Sequence, residues 1–134
     1  MTQLTKNFTL EELLHSDYGE SHNIENLATD DVVYNLTALA QDILQSLRDL
    51  YGKSIKVNSG YRCKQINDAV GSKDTSQHLK GQAADLDCDD NKKLYELIRD
   101  NLDYDQVINE SNYSWVHVSY KPHGGNRHQQ LTIK

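Results

Sequence analysis

The chain has 134 residues, 37% of them hydrophobic, and a formal net charge of −6. That length suits one domain, residues 1–134, around a single modest core. The acidic balance argues against nucleic acid as a partner, because phosphate binding needs clustered Lys and Arg, and no apolar run approaches the roughly 20 residues that span a bilayer, so no membrane insertion is expected.

The opening "MTQLTKNFTLEELL" has no basic stretch followed by an apolar one, so no secretory signal is expected and synthesis in the cytoplasm is. Thr9-Leu10-Glu11-Glu12 reads as a capping box, which predicts a short helix running to about Ser16. Residues 17–28 are polar, contain Gly19 and read as a surface loop. Thr29 is placed to cap a long helix, with Asp30 and Asp31 complementing its dipole. Val32, Val33, Leu36, Leu39, Ala40, Ile43, Leu44 and Leu47 recur at three and four, which makes an amphipathic stripe that Gly52 ends.

The second half changes character. Residues 54–58 read as a strand leading to a turn at Ser59-Gly60, and "CKQINDAVG" as a short helix stopped by Gly71. "GSKDTSQHLKGQ" reads as loop, "AADLDC" as a strand and "DNKKLYELIRDNL" as a helix capped near Asp89 and Asp90. "DYDQVINE" and "YSWVHVSY" are strands, "KPHGGNR" is a turn, and "QQLTIK" is a last strand expected to lie antiparallel to the one before it. The order predicts an α+β fold: N-terminal helices packed on a small, mostly antiparallel sheet. Cys63 and Cys88 belong to no CxxC pair and are expected to be reduced.

The chemistry concentrates in "SQHLKGQAADLD". On one continuous helix His78 and Asp85 would stand about 10 Å apart along the axis, too far to share a metal with ligand arms of about 2 Å. A loop histidine, a bend at Gly81 and an aspartate on the following strand can converge. Alternation puts Ala83, Asp85 and Asp87 on one face of that strand and Ala84, Leu86 and Cys88 on the core face. In "SWVHVSY" the same rule puts Trp115, His117 and Ser119 opposite the core residues Val116, Val118 and Tyr120. His78, Asp85 and His117 are thus a three-ligand set for one zinc ion per chain, with a fourth position left for water, as in catalytic sites. Glu110 ends the preceding strand and is the candidate proton carrier, with Asp87 a secondary candidate. Arg62 is suited to hold a substrate carboxylate or carbonyl oxygen, and Trp115 to wall the cleft. His15, His22, His123 and His128 read as surface residues, and "DLDCDD" lacks calcium-loop spacing.

"SGYRC", "SQHLKGQAADLD" and "WVHVS", in that order, resemble the zinc D-Ala-D-Ala metallopeptidases. That superfamily also holds lysostaphin-type endopeptidases, the vancomycin-resistance dipeptidases, phage L-alanyl-D-glutamate endolysins and the hedgehog signalling domain. The SxHxxGxAxD signature is matched by Ser76, His78, Gly81, Ala83 and Asp85. The resemblance covers most of the chain and is greatest to short phage and prophage members. It implies zinc on His78, Asp85 and His117, catalysis by Glu110 and Arg62, and a substrate held by Arg62, Ser76, Gln77 and Trp115. The implied reaction is cleavage of peptidoglycan stem peptides or crosslinks by a monomer, as a carboxypeptidase or endolysin-like endopeptidase. One departure is that several relatives place the acid three residues before the last histidine, where this chain has Ser114.

Two rival readings stand beside it. The scaffold could bind wall peptides or a protein without cutting, since a fold does not by itself settle activity. A cytoplasmic dipeptidase acting on free D-Ala-D-Ala would differ in substrate size. A wall substrate with no export signal is reconciled by an endolysin that waits in the cytoplasm for holin-type release.

Overall fold

A computed structural model describes residues 2–134. Helix α1 (Leu10–Leu14) opens with the expected capping box: Glu12 N–H donates to Thr9 Oγ1 at 3.3 Å, and Thr9 N–H donates to Glu12 Oε1 at 2.9 Å. A cap of this kind contributes about 1 kcal/mol. The segment that follows is not all loop. Residues Asp17–Ser21 form a short helix, α2, because Ser16 Oγ accepts Gly19 N–H at 3.1 Å and caps a turn that Gly19 packs into the interior. Polarity and a glycine suggested a loop, but this glycine serves close packing: a Cβ there would meet Ile24 O and Ile66 Cδ1 at 2.9 Å.

The long helix is interrupted in a way its periodicity does not announce. Helix α3 (Asp30–Leu39) passes into a π-helical turn, Ala40–Leu44, and continues as α4 (Gln45–Tyr51). Thr29 caps it, and Gly52 ends it at φ +78°. Val32, Leu36, Leu39, Ala40, Ile43, Leu44 and Leu47 are buried as the stripe predicts, while Val33 is only half-buried. Each buried Leu or Ile contributes roughly 1.5–3 kcal/mol.

The remaining elements are β1 (Lys56–Ser59), α5 (Lys64–Ala69), a 3-10 turn (Gln77–Lys80), β2 (Ala83–Asp87), α6 (Asn91–Asn101), β3 (Gln106–Glu110), β4 (Trp115–Ser119) and β5 (Gln129–Ile133). Asp90 caps α6 by accepting Lys93 N–H at 3.0 Å. The strands form one mixed sheet in the order β1-β2-β4-β3-β5. Val57, Ala84, Leu86, Val107, Val116 and Val118 join the helix stripe and Leu94, Tyr95 and Ile98 of α6 in the core. Covered by helices on that side, the sheet presents Asp85 and His117 on the other. The architecture is α+β.

The last strand departs from expectation. It does not pair with β4 but lies parallel to β3 at the edge, with Ile108 opposite Leu131 and Glu110 opposite Ile133. The connection after β4 is too long for a tight hairpin and crosses the end of β3. Asn126 ties back to Lys121 N–H and O, and Arg127 closes onto the buried Asp105 with Nε at 3.0 Å and Nη2 at 2.8 Å. Asp105 thus delivers the chain to β3, and the parallel direction follows. Among the described residues no helix is long and apolar enough to cross a membrane.

Candidate metal centre and active-site cleft

Three segments converge on one point. Asp85 lies mid-strand in β2 and His117 mid-strand in β4, and the two are direct partners in the ladder. His78 arrives from the 3-10 turn, whose first N–H groups are capped by Ser76 Oγ, accepting from His78 N at 3.2 Å. Gly81 then reverses the chain at φ +72°, against helix α3, where a Cβ would meet Val32 O at 2.9 Å. The glycine of the signature is required twice over, by conformation and by space.

The geometry fits a divalent ion. His78 Nδ1–H donates to Gly60 O at 2.7 Å, which leaves the Nε2 lone pair facing Asp85 Oδ1 at 3.3 Å. His117 Nδ1 stands 3.0 Å from the same oxygen. All three donor atoms lie within 4.8 Å of one another. A tetrahedral zinc with arms of about 2.0–2.1 Å holds its ligand atoms about 3.3 Å apart. Two acceptors as close as His78 Nε2 and Asp85 Oδ1 repel unless a cation lies between them, and two imidazoles with one carboxylate are a donor set zinc favours. Burial by itself would raise the Asp85 carboxyl, but the His117 and His78 side chains beside it outweigh that and hold the group well below the usual carboxylate range. His78, Asp85 and His117 can hold a metal; Gly60 O orients the first of them.

The triad opens onto a cleft of about 860 Å³. Arg62, Ser76, Gln77, Glu110 and Trp115 all line it. Arg62 is locked by neutral partners: Nε donates to Asn67 Oδ1 at 3.2 Å and Nη2 to Ser72 Oγ at 3.3 Å. It has no carboxylate within ion-pair distance among the described residues. Burial pulls its guanidinium down from its ordinary value while the charges of Asp85 and Glu110 push it up. Glu110 pairs with Trp115 across the β3–β4 ladder. The hairpin just after it is strained: Ser111, Asn112 and Tyr113 all have positive φ, at 49°, 56° and 62°. Each costs roughly 1–2 kcal/mol, which Asn109 offsets in part by accepting Tyr113 N–H at 2.6 Å. Trp115 Nε1 is buried with no hydrogen-bond partner among the described residues.

Some candidates lie elsewhere. Asp87 accepts Asn91 Nδ2–H at 2.7 Å and does not line the cleft, so it is poorly placed as the proton carrier. Ser114 Oγ donates to Ser111 O at 2.6 Å. His15 meets Asp17, His22 stacks on Tyr18, His123 stacks on Tyr34 and His128 meets Asp103, all away from the triad. Cys63 and Cys88 are free. The lining also includes Val70, Lys73, Arg127 and Ile133, none of which stood out in the sequence. Arg127 and Ile133 could not, because they reach the cleft only through the parallel pairing of β5.

The family model for peptidase M15 matches residues 6–119, which contain the whole triad and Glu110. The chain belongs to the M15 peptidase family. No curated protein matches it. Membership in this zinc-dependent family supports a metallopeptidase, and the His78, Asp85 and His117 cluster is a group of this M15 chain that could hold the metal. The match ends at Ser119, so β5 lies beyond it.

Proposed function

We propose that this M15 chain is a zinc peptidase that hydrolyses peptide bonds in bacterial peptidoglycan stem peptides or crosslinks. The observation that carries the reading is the convergence of His78, Asp85 and His117 at an open cleft that Glu110 and Arg62 also line. A zinc ion held there would act as a Lewis acid toward the scissile carbonyl and lower the pKa of a water.

The chain's own residues supply the rest. The Glu110 carboxylate takes a proton from the attacking water and returns it to the leaving nitrogen. The hydroxyl adds to the carbonyl carbon, the carbon–nitrogen bond breaks, and the products are a carboxylic acid and an amine. Arg62 offers N–H donors to the carbonyl oxygen as negative charge grows on it. Its neutral partners Asn67 and Ser72 fix its position without consuming its charge. Ser76, Gln77 and Trp115 frame the bound peptide. The cleft volume is near the upper end of the roughly 300–1,000 Å³ of ligand sites, which favours a peptide of several residues over a free dipeptide. Action on the wall as a monomer after holin-type release is part of the same proposal.

The test is product analysis by mass spectrometry on defined stem peptides and purified peptidoglycan, with and without a chelator. Chelator-sensitive cleavage supports the reading. Zinc-loaded protein that binds wall peptides and cuts none of them would make the domain a recognition module.

A further inference from the structure

The segment beyond Ser119 lies outside the family match, yet it builds one wall of the cleft. Partners in a parallel ladder point to the same face of the sheet. Ile133 is the β5 partner of Glu110, so its side chain stands on the catalytic face, and both residues line the cleft. Ser111 N–H donates to Ile133 O at 2.8 Å, which clamps the end of β5 to the turn that follows Glu110. Single exposed apolar residues are ordinary on protein surfaces. Here Ile133 is 49% exposed and Val70 is 46% exposed, and both face the same cleft as the triad. Ile108 and Trp115 extend the apolar surface on the Glu110 side.

We propose that Ile133 is a specificity-determining residue that selects an alkyl side chain on the residue immediately after the scissile bond. The inference rests on the hydrolase reading above, in which Glu110 protonates the leaving amine. The first residue of the leaving fragment then lies against Glu110, between its two ladder partners, Trp115 and Ile133. Neither partner offers a charge. Arg127, the nearby cation of this wall, is engaged by Asp105 through two N–H groups. A methyl or larger alkyl group gains apolar contact there, whereas a carboxylate between these two uncharged side chains would lose water without gaining an ion pair from either. Such a pocket discriminates by roughly 10-fold or more.

The experiment uses the zinc-loaded chain and two synthetic stem peptides that differ only in having alanine or glutamate after the scissile bond. The wild type should cut the alanine peptide with the higher kcat/KM, the difference residing mainly in KM. Ile133→Lys should shift the ratio toward glutamate by roughly 10-fold, and Ile133→Ala should flatten it. Ile133 is half exposed at a strand end, so melting temperatures should stay within a few degrees and exclude unfolding. A ratio unchanged in Ile133→Lys overturns the proposal. A second arm follows the Ile133 methyl signals by NMR as short peptides beginning with alanine or glutamate are added, which reads binding with no turnover. Should the wild type cut nothing, the hydrolase reading fails and this arm alone decides: alanine-selective shifts lost in Ile133→Lys support the assignment, and equal or absent shifts overturn it.

Discussion

Asp85 and His117 are direct partners across the β2–β4 ladder, and His117 Nδ1 stands 3.0 Å from Asp85 Oδ1. Two central strands therefore set this half of the ligand cluster, with no loop involved. The third member, His78, is held by a carbonyl at the end of β1 and by a cap at Ser76. Ligands fixed before the ion arrives lose little freedom on binding it, and that makes the site sensitive to any one of them.

His117→Ala should reduce bound zinc from about one ion per chain to near zero after dialysis. Orienting partners of metal ligands are worth 10–100-fold in affinity, so a ligand itself should cost roughly 100-fold or more. Elemental analysis and native mass spectrometry provide the check. In the wild type, excess zinc should raise the melting temperature by mass action, and a chelator should reverse it.

Glu110→Gln keeps size and hydrogen bonding but cannot accept the proton. It should retain zinc and lose roughly 100- to 10,000-fold in kcat. Full activity in that variant would assign the proton to another group and remove the basis for the Ile133 inference.

Gly81→Ala should be far more damaging than Gly52→Ala. Both glycines have positive φ, so each substitution costs about 1–2 kcal/mol in backbone conformation. Gly52 has nothing within 4 Å of an added Cβ, whereas at Gly81 the Cβ would meet Val32 O at 2.9 Å. The excess loss for Gly81→Ala should be at least about 1 kcal/mol in denaturant unfolding, with weaker zinc binding because His78 moves with the turn.

Asp105 predicts an acid limb in stability. Burial would raise its carboxyl, but Arg127 and Lys121 outweigh that and lower it to about 2, from 3.8 when unfolded. A group depressed on folding stabilises above its unfolded pKa, and the contribution fades as pH falls from about 4 toward 2. The carboxylate is fully buried, and the shift corresponds to about 2 kcal/mol. Asp105→Asn should lose that much at pH 6 and little near pH 2, as read from urea midpoints across the range. It should also loosen the approach to β5, since the Arg127 backbone N–H and guanidinium all donate to the Asp105 carboxylate.

The long helix and the faces of β2 and β4 were determined by the sequence alone, because each rests on a local period. A three-to-four spacing buries Leu36, Ile43 and Leu47 whatever lies beyond, and alternation separates Asp85 from Leu86 and His117 from Val118. Gly81 could be read as a bend, but that it also spares Val32 a clash depends on where α3 packs. The helix at Asp17–Ser21 has a local cap in Ser16, but Gly19 also packs against Ile24 and Ile66, which the polar segment does not announce, and nothing in the apolar stripe marks the π turn at Ala40–Leu44. Above all, the fold decided where the last strand goes. Nothing local to "QQLTIK" distinguishes a hairpin with β4 from a crossover to β3; the choice is made by Arg127 closing on Asp105, residues distant in sequence, and through it Ile133 comes to stand beside Glu110.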